Sequence, residues 1–265
     1  LLTQINSLDL NGNNLSDVTP LAGLTNLRHL SLGYNGLSDV SSLSLLTQIN
    51  SLDLNGNNLS DVSWASSLTQ LNSLSVSDNQ ISDLSSLSNL ANLRWLYVGN
   101  NQLTSLTLSD LPNLHGISAH NNQISSVSLS NIPDLYWIDL NDNQLTDLTD
   151  LGAFLANQPN NHGSWFELSL ERNGITDLNP LAGLERMGSL NLNYNAIEDV
   201  TPLSGMVNLG QLHLYDNDIA YLNGTFDTWT NGTYINLSEN PLVCSEVDAA
   251  QANGNINIDF YTTCY

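Results

Sequence analysis

Seven aspartates recur in a single register: Asp17, Asp39, Asp61, Asp83, Asp147, Asp177 and Asp199 each follow an asparagine by four residues. Repeated carboxylates can do one of two things. They can share a hard cation such as calcium, with Asp17, Asp39, Asp61 and Asp83 as the longest unbroken run, or each can accept a hydrogen bond from the backbone of its own turn. Neighbours about 5 Å apart repel unless salt screens them or a cation bridges them. No complete oxygen-rich loop accompanies the column, and both readings stand.

A second set of residues has the types needed for nucleophilic chemistry: Ser118, His120 and Asp139 supply a hydroxyl, a base and an acid. Alternate residues of one strand lie about 7 Å apart, beyond hydrogen-bond reach, so neither the serine–histidine pair nor catalysis is expected. His120, Asp139 and Asn141 lack the close ligand-pair spacing of a metal site, and His29, His115 and His162 are scattered. No resident cofactor is expected.

The third set is aromatic. Trp95 and Trp137 flank Gly116 at one repeated position, Tyr97, Ser118 and Asp139 share the next, and His120 and Asn141 share the one after. His213 and Tyr215 make a second, sparser patch. Two indoles about 9.6 Å apart over a glycine would frame a slot for one flat group. Exposed aromatics among small polar residues anchor recognition surfaces. The competing reading lays the rings flat over adjacent strands as packing.

What must position these side chains is a repeat. Leu45 to Val62, LLTQINSLDLNGNNLSDV, copies Leu1 to Val18 residue for residue, and half of that offset, 22 residues, recurs along most of the chain. An asparagine marks each unit: Asn13, Asn35, Asn57, Asn79, Asn101, Asn122, Asn143, Asn173, Asn195, Asn217 and Asn240. Apolar or small residues stand three and five positions before it, the alternation of a strand with one buried and one open face. The amide itself offers donors and acceptors to the backbone leaving the strand, and stacked amides can bridge successive repeats. Thr19, Asn179 and Thr201 each precede a proline, an N-cap and first-position pair for a short helical turn. Leu21, Leu24 and Leu27 then point inward.

The series LxxLxLxxNxLSDVTPLAGLTN resembles the 22-residue leucine-rich repeats of bacterial internalin-type surface proteins, over about residues 1–243. The resemblance implies an α/β solenoid: a leucine-rich repeat horseshoe with a parallel β-sheet on its concave face and short helical or 3₁₀ segments on its convex face. About eleven repeats fill residues 1–243, and residues 244–265 form a C-terminal cap. The resemblance also implies a non-catalytic recognition arm binding through the concave face.

Composition narrows the partners. The 265 residues carry a net charge of −22, with four basic residues, all arginine, and no lysine. Nucleic-acid binding needs a basic footprint and is excluded, and an anionic membrane surface would repel the chain. No apolar run approaches a membrane span. The chain starts inside a repeat, so it is expected to be a fragment of a larger surface protein, with its N-terminal cap and signal outside the sequence.

Both cysteines, Cys244 and Cys264, follow the last repeat and bracket a helix starting at Ser245 with a capping-box pattern, then a strand over residues 255–261. A disulfide suits a small cap in an oxidising compartment; two separate thiols are the alternative. Elsewhere the period slips. The repeats from Leu93 and Leu114 have Thr104-Ser105 and Ser125-Ser126 in place of Ser-Asp, and an insertion near residues 153–163 predicts a longer outer helix and a loop. The functional expectation is a secreted or cell-surface module taking a protein partner on its concave face. A carbohydrate on the Trp95/Trp137 slot is the alternative, and a structural spacer is a third.

Overall fold

The computed structural model describes residues 4–159, 165–229, 231–252, 254 and 256–259. These fall into two compact units, Leu1–Gln123 with Ser128–Leu135, and Ile124–Val127 with Tyr136–Tyr265. In the first, strands β1 (Ser7–Asp9), β2 (His29–Ser31), β3 (Ser51–Asp53), β4 (Ser73–Ser75) and β5 (Trp95–Tyr97) pair in parallel order. After β6 (Ser105–Ser109), β7 (Gly116–Ser118) pairs with β5. The register is strict: Leu8, Leu30, Leu52, Leu74, Leu96 and Ile117 are successive partners. One residue per strand faces inward, so each unit's core is a column of leucines built by repetition.

Four 3₁₀ helices return the chain along the other side: Thr19–Gly23, Ser41–Leu45, Ser63–Ser67 and Ser85–Asn89. Their capping differs from the expectation. Thr19 is the first helical residue, and the residue before it, Val18, makes no side-chain cap. Asp17 does that work, its Oδ1 accepting the Thr19 N–H at 2.8 Å. Asp39, Asp61, Asp83, Asp147, Asp177 and Asp199 accept from the residue two ahead in the same way, at 2.8–2.9 Å. The column is therefore a set of turn caps. Among the described residues no group of three or more His, Cys, Asp or Glu side chains could hold a metal.

In two repeats of the stack the aspartate and the 3₁₀ helix are both missing. In the slipped repeats Ser105 and Ser126 hold the aspartate's position, and the outer segments there are β6, with the alternating sequence SLTLS, and β8 (Ser126–Ser130). They pair as a separate two-stranded sheet, Ser128–Ser130 of β8 belonging to the first unit. Without an acceptor to fix the first helical turn, the period-two pattern of Leu106 and Leu108 takes over.

The second unit repeats the scheme with β9 (Trp137–Asp139), β10 (Phe166–Ser169), β11 (Met187–Asn191), β12 (Gln211–His213), β13 (Thr233–Asn236) and β14 (Ile256–Asp259), again parallel. Its insertion forms α1 (Thr149–Ala156), which starts at the capped turn of Asp147. The loop expected up to Gly163 runs outside the described residues after Pro159. In the cap, α2 spans Cys244–Gln251 without a side-chain N-cap. The helix starts one residue earlier than expected, so Ser245 lies inside it and makes no capping box with Asp248; Glu246 has a different partner. Its Oε2 accepts the Leu222 and Asn223 N–H groups at 3.1 and 2.9 Å, tying the cap to the preceding repeat. Cys264, and with it the expected bridge to Cys244, lies outside the described residues.

The asparagines form the ladder that their chemistry predicts. Asn57 Nδ2 donates to Leu32 O (3.1 Å) and Leu54 O (2.9 Å), while its Oδ1 accepts the Leu37 N–H at 2.9 Å. Asn101, Asn122, Asn195 and Asn217 repeat this pattern. The residue just before each ladder asparagine plays no part in the repeat motif, yet its backbone is constrained. Gly12, Tyr34, Gly56, Asp78, Asn100, Asn121, Asp142, Arg172, Tyr194, Asp216 and Glu239 all have positive φ, between 51° and 67°. Each amide reaches back over its turn because the backbone before it bends left-handed, a conformation unfavourable for Tyr, Arg and Glu.

Candidate functional site

The open face of each unit consists of residues two, four and six positions before each ladder asparagine. Over β1 to β4 these are mostly small or polar, and part of that polarity is structural. Asn55 Oδ1 accepts the Ser77 N–H at 2.7 Å and the Ser75 hydroxyl at 2.8 Å. Asn11, Asn141 and Asn193 likewise take the N–H of Gly33, Glu171 and Tyr215 on the next strand. Asn141 also accepts the Ser169 hydroxyl at 2.7 Å. Its carbonyl oxygen is thus engaged in joining strands, a second, sparser ladder not foreseen from the repeat motif.

The aromatic positions of the first unit are half-buried. Trp95 meets His115 edge-on, with ring centroids 6.2 Å apart and planes at 75°. Tyr97 stands beside it on β5, and Gly116 and Ser118 on β7 are buried. His120 overturns one expectation: its Nδ1 lies 2.8 Å from Ser118 Oγ. The spacing of about 7 Å separates backbone positions, not side-chain tips. His120 lies past the end of β7, and its ring lies over Gly99, where a Cβ would come within 2.6 Å of Nε2. The pair does not make an exposed nucleophile, because Ser118 is only 4% accessible.

Trp137 and Asp139 belong to the second unit, both half-buried on β9, and Asp139 Oδ1 accepts the Asn141 N–H at 3.1 Å. The Trp95/Gly116 and Trp137/Asp139 halves of the expected slot therefore stand in different units. A cluster of mutually contacting polar and aromatic side chains lies within the second unit, where the strands end. Arg172 Nη1 contacts Glu171 Oε1 at 2.6 Å while its guanidinium stacks 4.1 Å over the Tyr194 ring. Glu171 Oε2 also accepts from Asn191 Nδ2 at 3.1 Å. Tyr194 and Tyr215 lie 5.1 Å apart by ring centroid, and His213 and Tyr234 lie 5.7 Å apart. The Tyr234 hydroxyl is 3.1 Å from Asp259 Oδ2.

Electrostatics follow from this packing. Burial lowers the His213 pKa below the ordinary imidazole value, against the opposing charge of Glu171, so the ring is held neutral at pH 7. Burial also raises the Tyr215 pKa, reinforced by the nearby Tyr194, Glu239 and Asp216. His213 and Tyr215 were singled out from the sequence, and Glu171 and Tyr234 hold open-face positions by the same spacing rule, whereas Arg172 and Tyr194 lie off that rule. Arg172 and Tyr194 hold the position just before the ladder asparagine, whose left-handed backbone swings its side chain beside the open face. A bulky residue where Gly, Asn or Asp is usual was the missed signal.

Comparison with known proteins agrees with this architecture. Leucine-rich repeat family models match residues 3–45 and 47–89, and a further one matches residues 92–114. Among curated proteins none matches the chain. A solved internalin from Listeria monocytogenes is 23% identical with a TM-score of 0.71, covering 97% of this chain and 83% of its own. The LRIM1/APL1C complex gives 19% identity and a TM-score of 0.72 over 98% of this chain and 60% of that one. The TLR13–ssRNA13 complex gives 22% and 0.71 over 91% and 37%. The chain carries leucine-rich repeats in a solenoid fold with parallel sheets and short 3₁₀ turns.

Proposed function

We propose that the chain is a secreted or surface-exposed recognition module that binds a protein partner on the open face of its repeats, anchored by the Glu171–Arg172–Tyr194–Tyr215–His213 belt. The supporting observation is that side chains of the belt hold one another, Arg172 against Glu171 and Tyr194, and Tyr194 against Tyr215. Tyr and Arg dominate binding hot spots, and side chains already fixed by neighbours lose little entropy on docking. Arg172 and Tyr194 keep φ values of 51° and 55°, where an asparagine would be less strained. Strain retained by two stacked residues fits a functional use better than a packing one. A net charge of −22 without lysine argues against a nucleic-acid ligand and for a basic patch on the partner.

The test uses an Arg172→Asn/Tyr194→Asn double variant, since asparagine tolerates the left-handed backbone. Proteins captured from intact cell surfaces by the wild-type chain should fall about tenfold in yield with the variant. The melting temperature should hold or rise. Equal capture by both forms refutes the belt as the anchor.

A further inference from the structure

A second feature of the second unit lies at the opposite end of its strands. Trp165 is 53% exposed, two residues before Glu167 at the start of β10. Here the sheet is irregular: Phe166 faces Met187 but Glu167 faces Ser189, so Gly188 is an extra residue in β11. Bulges of this kind re-aim side chains and gather beside binding sites. A Cβ at Gly188 would overlap Trp165 Cβ, so the Trp165 side chain leaves its backbone against β11 only because glycine is there. Gly210 follows on the next strand, its N–H bonded to Gly188 O at 2.8 Å. The two glycines leave a bare shelf beside the ring.

Around the shelf is an open groove of about 420 Å³, rimmed by Trp165, Glu167, Ser189, Asn208 and Gln211. That volume lies within the range of roughly 300–1,000 Å³ for small-ligand sites. We infer that this groove is a carbohydrate subsite that seats one neutral pyranose ring of a glycan against the Trp165 indole and over the Gly188–Gly210 shelf. A pyranose has an apolar C–H face suited to an indole, and an equatorial ring of hydroxyls that both donate and accept. The rim matches both capacities: Glu167 accepts, and Ser189, Asn208 and Gln211 donate and accept. Anionic sugars would meet Glu167 and the net charge of −22. A lysine or arginine from a partner would use only the acceptors and leave the amide and hydroxyl donors idle. The subsite is independent of the belt, since Glu167 and Glu171 are four residues apart, about 13 Å along extended chain.

The experiment titrates the chain with neutral hexasaccharides of glucose, mannose, galactose, xylose and N-acetylglucosamine, and with hexalysine, by calorimetry and indole fluorescence. At least one neutral hexasaccharide should bind saturably below about 10 mM. Trp165→Ala and Gly210→Leu should each weaken it at least about tenfold, and Glu167→Gln by a few fold. Arg172→Asn/Tyr194→Asn should leave it unchanged, which separates this site from the belt. Gly210→Ser is the milder filling variant, because a Cβ there meets only Gly188 O, at 3.3 Å. No saturable binding by any sugar, retention of affinity in Trp165→Ala and Gly210→Ser, or Trp165-dependent binding of hexalysine alone overturns the inference.

Discussion

The asparagine ladder makes its sharpest prediction at Asn57, because the same 18-residue sequence carries Asn13. Replacing Asn57 by leucine removes five bonds, but they are not equivalent; Asn55 O, bonded at 3.3 Å, still accepts the Tyr34 N–H at 2.7 Å. Leu32 O still accepts from Asn35 Nδ2 at 2.9 Å, and Leu54 O still accepts from Asn79 Nδ2 at 3.0 Å. The carbonyls therefore keep a partner. What is orphaned is the Leu37 N–H, bonded at 2.9 Å, and the Asn35 N–H, bonded more weakly at 3.3 Å. Each buried orphan costs about 1–3 kcal/mol, and the longer bond sits at the low end, giving about 2–4 kcal/mol for Asn57→Leu. Asn13 is exposed and bonds Asn11 O at 3.0 Å, so Asn13→Leu should cost under about 1 kcal/mol. Guanidinium unfolding of both variants measures the difference. Amide exchange locates it, since protection at Leu37 should collapse first in a stack whose units open semi-independently. Equal costs for the two substitutions, or unchanged exchange at Leu37, would refute the reasoning.

Asp17, Asp39, Asp83 and Asp147 titrate below the ordinary carboxylate value because Thr19, Ser41, Ser85 and Thr149 donate to them. A lowered folded value means that the caps contribute fully above the unfolded pKa and are lost as pH falls through the folded one. The melting temperature should accordingly drop on acidification below about pH 4, and the drop should shrink in Asp83→Asn, which keeps the cap without its charge. His213 adds a loss that begins as pH falls below about 6.5, since burial lowers its folded value and the unfolded chain gains the proton; His213→Gln should remove that limb. Calcium should stabilise no more than sodium at equal ionic strength, because every column aspartate already caps its own turn; a calcium-specific increment in melting temperature would overturn this. Cys244 and Cys264 are expected to pair, and reduction of the intact chain should then add about two daltons by mass spectrometry.

The repeat and its strand, turn and short helix were legible in the sequence because every signal was local and recurred in one register. Apolar residues at alternate positions and an amide after them state the same instruction eleven times, and an acid four residues later joins it in seven. The acid column's own alternatives were resolved by distances of 2.8–2.9 Å that no spacing could supply. Tertiary structure decided whatever depended on a neighbour. Leu1 to Val18 and Leu45 to Val62 are one sequence, yet Asn57 and Leu52 are buried while Asn13 is exposed and Leu8 is only half-covered. Burial belongs to the stack and not to the segment. Ser118 and His120 meet because Gly99, on another repeat, leaves the ring somewhere to lie. Trp165 is aimed by an extra glycine at residue 188, and Arg172 finds the Tyr194 ring 22 residues away through two left-handed turns. A one-dimensional pattern encodes which face of each repeat is apolar; which side chains touch across repeats follows only once parallel strands set them side by side.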